Sequence, residues 1–149
     1  MENKMEIWIQ EKKNVSFEID SENIVTSSTF KEGEWIKLDI VSSSITEEYK
    51  CASDVTRYWE QTLVFSLSQT VENRKLIFSI QHKKLTAIIK SDTGIFILFG
   101  WENPLEIWIK ENQDTYTFTY VAPQTQIAPT INNEVLKKIL EKVENKCGF

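Results

Sequence analysis

Four glycines, three prolines, two cysteines and one histidine are all that this chain of 149 residues carries of these types. So little Gly and Pro argues against long disordered linkers. A glycine-rich phosphate loop is also missing: Gly94 and Gly100 stand singly, suited to turns or to close approach within a sheet. Cys51 and Cys147 lie far apart, form no CxxC pair and read as free thiols of a reducing compartment. One histidine and two distant cysteines do not make the usual metal sites. His82 falls in the turn Gln81-His82-Lys83. A solvated side chain is its simplest role there, because a triad needs a nucleophile and an orienting acid beside it. Long apolar runs are absent as well. None follows Met1-Glu2-Asn3-Lys4, so neither a signal peptide nor a membrane span is expected, and the expected compartment is the cytoplasm. The acid pairs Glu47-Glu48 and Glu32 with Glu34 could act as acid and base in a cleft. Acids at loop ends are far more often solvated. The expectation is a protein without catalysis and without a cofactor.

What the chain does contain is ordinary for a globular protein: 41% hydrophobic and 26% charged residues. A single domain over 1–149, burying roughly two-thirds of its unfolded surface, accommodates this length. The net charge is −5 and unevenly spread. Residues 1–60 hold 13 acids and 7 bases, the remainder 9 acids and 10 bases, so the first part carries −6 and the rest +1. A negative field disfavours direct contact with nucleic acid or membrane surfaces and favours basic partners.

Alternating apolar and polar residues dominate the second half. Leu76, Phe78 and Ile80 alternate with polar residues, then Leu85, Ala87 and Ile89, then Leu105, Ile107 and Ile109, then Tyr116, Phe118 and Tyr120. Ile95 to Phe99 is apolar on both faces and is expected to be a central, doubly covered strand. Period-two alternation with short polar turns predicts an antiparallel meander over 75–121. Near the start, Met5, Ile7 and Ile9, then Val15, Phe17 and Ile19, predict a hairpin. Residues 21–29 read as loop or irregular edge, 35–41 as a strand with one wet face, and 42–50 as loop or ragged strand.

Two helices are expected. Over 54–68 the residues Val55, Tyr58, Trp59, Leu63 and Leu67 fall on one helical stripe behind an N-cap at Ser53 or Asp54. A strand reading also exists, with Leu63, Phe65 and Leu67 alternating, but a strand of that length exceeds the usual five to six residues or so. After Pro129, Val135, Leu136, Ile139, Leu140 and Val143 form an apolar stripe behind a cap at Thr130, Asn132 or Asn133. The fold class is therefore α+β: an antiparallel β-meander sheet with an N-terminal hairpin, one internal helix and a C-terminal amphipathic helix. Glu6-Ile7-Trp8-Ile9 recurs as Glu106-Ile107-Trp108-Ile109. Similar demands on half-buried strands explain this repeat better than a duplicated hairpin does.

The element order resembles that of small bacterial immunity proteins, those that guard against contact-dependent-inhibition toxins and the WapI-like group. Glu34-Trp35-Ile36, Ser53-Asp54-Val55 through Trp59, and the helix after Thr130 carry the resemblance. It implies a cytoplasmic protein that binds a cognate basic toxin domain, a nuclease by preference, and blocks its active site or substrate groove. On the residues alone, the expected partner-binding positions are Glu32, Glu34, Trp35, Asp39, Glu47 and Glu48. Here Trp35 serves as a surface anchor and the acids as a steering rim. Two other readings stand beside this one: a structural or regulatory protein-binding module, and a small enzyme or ligand binder using a helix–sheet cleft. A basic toxin tail encoded immediately upstream would separate the first reading from the others.

Overall fold

The computed structural model describes residues 5–30, 34–51 and 57–141. Its strands are β1 (Glu6–Glu11), β2 (Val15–Ile19), β3 (Ile24–Phe30), β4 (Ile36–Lys37), β5 (Ser42–Cys51), β6 (Arg57–Ser68), β7 (Leu85–Lys90), β8 (Phe96–Phe99), β9 (Glu106–Glu111), β10 (Thr115–Gln124) and β11 (Thr130–Ile131). Two helices, α1 (Val71–Ile80) and α2 (Asn133–Glu141), complete the described elements, and the class is α+β. The strands form a seven-stranded sheet, ordered β2-β3-β11-β8-β7-β1-β4, and a four-stranded sheet, ordered β5-β6-β10-β9.

The two sheets pack face to face through alternate residues. From the larger come Ile7, Ile9, Leu85, Ala87, Ile89 and Phe99; from the smaller come Leu63, Phe65, Leu67, Tyr116, Phe118 and Tyr120. Phe65 stacks on Phe118 and Tyr120, with ring centroids 4.8 and 5.6 Å away. A second core lies on the other face of the larger sheet, where Trp8, Ile88 and Leu98 meet Val15, Val25, Trp35, Ile131 and the α2 residues Val135, Leu136 and Ile139. This explains why Leu85 to Ile89 is buried at every position. The strand has a core on each side.

β1 and β2 are joined by only the 3-10 turn Lys12–Asn14, yet they stand sixth and first in the sheet order. Four Cα steps reach at most about 14 Å, whereas five strand spacings in a flat sheet come to about 24 Å. The larger sheet therefore curls, and the second core fills the curl. The expected N-terminal hairpin is corrected accordingly: β1 pairs with β7 and β4, while β2 pairs with β3. For the same reason the EIWI repeat is not a duplicated hairpin, since β9 does pair with the strand that follows it. The region read as loop or irregular edge at 21–29 contains most of β3. Its turn is set by Asp20, whose Oδ1 accepts from Glu22 and Ile24, and by Asn23 at φ 64°.

Two further expectations are overturned. Residues 57–68 are a strand, not a helix, flanked along nearly all their length by β5 and β10. The alternation of Gln61, Leu63, Phe65 and Leu67 was the true period, and the helical stripe was coincidental. Residues 53–56 of the expected helix lie outside the described residues. Conversely, 71–80 is a helix where a meander strand was expected. Thr70 caps it by accepting from the Asn73 N–H at 3.1 Å, and Leu76, Ile77 and Ile80 turn toward the inter-sheet core. The meander is also divided: β7 and β8 belong to the larger sheet, β9 and β10 to the smaller. The C-terminal helix forms as expected, with Asn132 Oδ1 accepting from Glu134 at 2.8 Å; the side chains of Leu140 and Val143 lie outside the described set.

Candidate functional site

The six expected partner-binding residues do not form one surface. Glu32 lies outside the described residues. Trp35 is 1% exposed and sits in the second core, its ring centroid 6.3 Å from that of Phe17, so it is no surface anchor. The expected wet strand face shrinks to β4, two residues long, and Trp35 precedes it, turned into the curl of the sheet. Glu34 beside it is half-buried, and Asp39 is exposed. Glu47 and Glu48 belong to β5, about 17–20 Å further along the strand from Ser42 at the usual rise per residue. Being adjacent in a strand, they point to opposite faces.

Glu47 points inward and is half-buried. Its Oε2 accepts the Ala128 N–H at 2.7 Å, tying β5 to the segment that leads into β11. Burial pushes its carboxyl above the usual carboxylate range, opposed by the Ala128 N–H and the Gln61 amide. Around it lies a polar network that is structural. Gln61 Oε1 accepts the Gly100 N–H at 3.0 Å, and Thr86 Oγ1 donates to the Gly100 carbonyl at 2.9 Å. Gln124 and Asn103 exchange two hydrogen bonds, and Glu102 accepts from both the backbone and hydroxyl of Thr125. A Cβ on Gly100, which has φ +73°, would meet Leu105 Cγ at 2.7 Å and the Leu85 carbonyl at 3.0 Å. That position takes only glycine without rearrangement.

The surface that the smaller sheet turns outward is of another kind. Strand register places Ser44, Val64, Thr119 and Trp108 in one row, and Thr46, Thr62, Val121 and Glu106 in the next. The apolar side of α1 belongs to the inter-sheet core and that of α2 to the second core, so among the described elements neither helix covers this face. Trp108 stands on it 58% exposed, on the strand next to Glu106 and Lys110. The signal that could have found it was the alternation of Trp108 against Ile107 and Ile109. That signal is identical for Trp8, which is buried.

Among the described residues no group of three or more His, Cys, Asp or Glu side chains is placed to hold a metal. His82 is exposed at a cleft of about 310 Å³ between the turn 81–84 and the start of β9. No described helix is long and apolar enough to cross a membrane. No protein-family model, curated protein or solved structure matches this chain.

Proposed function

We propose that this protein acts by binding another protein: it neutralises a basic bacterial toxin domain of the nuclease kind by covering its active site or substrate groove. The observation that carries the reading is Trp108, a large aromatic 58% exposed on a sheet face that neither described helix covers, with Glu106 two residues away on the same side. An indole in that position contributes most when a partner removes it from water, and such residues dominate the energetics of protein interfaces. The overall charge of −5 adds attraction to a basic surface, and a carboxylate beside the anchor can stand where a phosphate of the toxin's substrate would. The interface is thus centred on β9 and its neighbours, with Trp35 serving the fold.

The test pairs the protein with any basic nuclease-type domain encoded immediately upstream of it and measures growth protection and binding kinetics. Trp108→Ala is expected to weaken binding by about thirtyfold, the equivalent of about 2 kcal/mol, chiefly through faster dissociation. Glu106→Lys is expected to slow association, most strongly at low salt. Full protection and unaltered kinetics in a folded variant carrying both changes would remove this surface from consideration.

A further inference from the structure

Sheet edges expose rows of backbone N–H and C=O groups that pair with another strand unless they are shortened, bulged or covered. Both edges of the larger sheet are blunted. β4 is two residues long, and the pairing of β2 breaks register between Glu18 and Ile19. At the β9 edge of the smaller sheet, Leu105 is hydrogen-bonded to the Leu85 carbonyl at 3.0 Å, and the turn 81–84 lines a cleft against the strand. The remaining edge, β5, runs for ten residues without a proline and pairs with β6 without a register break, and no described strand lies on its other side.

The side chains of β5 have a self-complementary order at Glu48-Tyr49-Lys50. Glu48 and Lys50 share the outer face. Directly across from Glu48 stands Glu60, a like-charge pair, and Lys50 is engaged with Glu60 at 3.1 Å. Tyr49, on the inner face, is 52% exposed although its ring lies 5.2 Å from that of Trp59. Glu48 thus has a carboxylate for its cross-strand neighbour on one side and an open edge on the other.

We propose that a second copy of this chain pairs antiparallel along β5, with the two-fold axis through Tyr49. In that register Glu48 of each copy lies opposite Lys50 of the other, and the two Tyr49 side chains meet on the inner face. Axes through Glu47, Glu48 or Lys50 would instead set like charges against each other. Axes through Ile45 or Thr46 would set Glu48 against Ser42 or Ser44 and form no ion pair. The two smaller sheets then become one continuous eight-stranded sheet, an isologous contact that closes on itself and removes the last long edge. This pairing is independent of the toxin-binding reading.

Sedimentation equilibrium of the full chain tests it. The wild type is expected to approach twice the 17.4 kDa chain mass as concentration rises. Glu48→Lys and Lys50→Glu should each weaken association by about tenfold or more, since each places like charges face to face. Glu48→Lys gains Glu60 as a partner within its own sheet, so its fold is the safer of the two. An equimolar mixture of the two single variants, and separately the doubly exchanged chain, should recover the dimer. A wild type that remains at 17.4 kDa throughout, a dimer indifferent to both single changes, or single variants that fail to recombine would each overturn the proposal.

Discussion

Trp8 and Trp108 sit in identical tetrapeptides, Glu-Ile-Trp-Ile, and have opposite fates: 5% exposed in one copy and 58% in the other. Local chemistry made each a strand with Trp opposite the isoleucines. Burial was decided by position, with β1 inside a sheet that has a core on each face and β9 at an edge with one. Trp35 shows the same limit, because alternation in 35–41 pointed to a wet face and the curl of the sheet closed over it. Trp35→Ala is therefore expected to cost about 3–5 kcal/mol in urea unfolding, as for other large core truncations. Trp108→Ala should stay within about 0.5 kcal/mol of wild type. Equal urea midpoints for the two variants would contradict the burial assigned to Trp35. Glu47 supplies a second test. Its folded carboxyl is raised by burial above the unfolded value, so the folded protein holds that proton more tightly. The resulting stability is present below the unfolded pKa, about 4.3, and is lost as pH rises through the folded value. Glu47→Gln keeps an oxygen for the Ala128 N–H and cannot ionise, so its stability should fall less over that range. An unchanged pH slope in the variant would exclude Glu47 as the source. Glu6 works in the opposite sense: hydrogen-bonded to Lys37 and near Lys90, its carboxyl is held below the usual range, and its contribution is lost as pH falls.

At the scale of elements, the strands were legible wherever period two ran into a turn, as at β7, β9 and β10. Two segments misled for different physical reasons. In 57–68 a helical stripe overlapped a genuine alternation, and the choice was made by partners distant in sequence: β10 matches β6 residue for residue from Gln124 opposite Trp59 to Thr115 opposite Ser68. In 71–80 the alternation of Leu76, Phe78 and Ile80 was accidental, and Phe78 proves 79% exposed. The available clue was Thr70 followed three positions later by Asn73, a capping arrangement outweighed by the apolar rhythm. Thr70→Ala should lower stability by about 1 kcal/mol and speed amide exchange in α1 more than elsewhere. A change in exchange confined to other elements would argue against the cap.

For the whole molecule, the class α+β and the C-terminal helix could be read from hydrophobic spacing, but the division into two sheets could not. Nothing in the local pattern of 85–99 or 106–120 tells that these hairpins part company, because pairing depends on which strands arrive beside them from elsewhere in the chain. The candidate surface was legible only in part. Its Trp and its acids were on view, but which Trp faced water depended on the assembly of the sheets.

β11 is two residues long, yet it stands between β3 and β8, pairing with the first through Ile24 and Val25 and with the second through Ile97. Among the described strands it alone joins the β2–β3 pair to the rest of the sheet order. During biosynthesis the β2–β3 segment must therefore wait, already translated, until Thr130 and Ile131 have left the ribosome. The apolar faces of Val15, Phe17 and Val25, which belong to the second core of the folded chain, are then exposed and prone to aggregation for the length of that delay. A released chain ending at position 129 should remain open to protease within 15–30, and the full 149-residue chain should resist it.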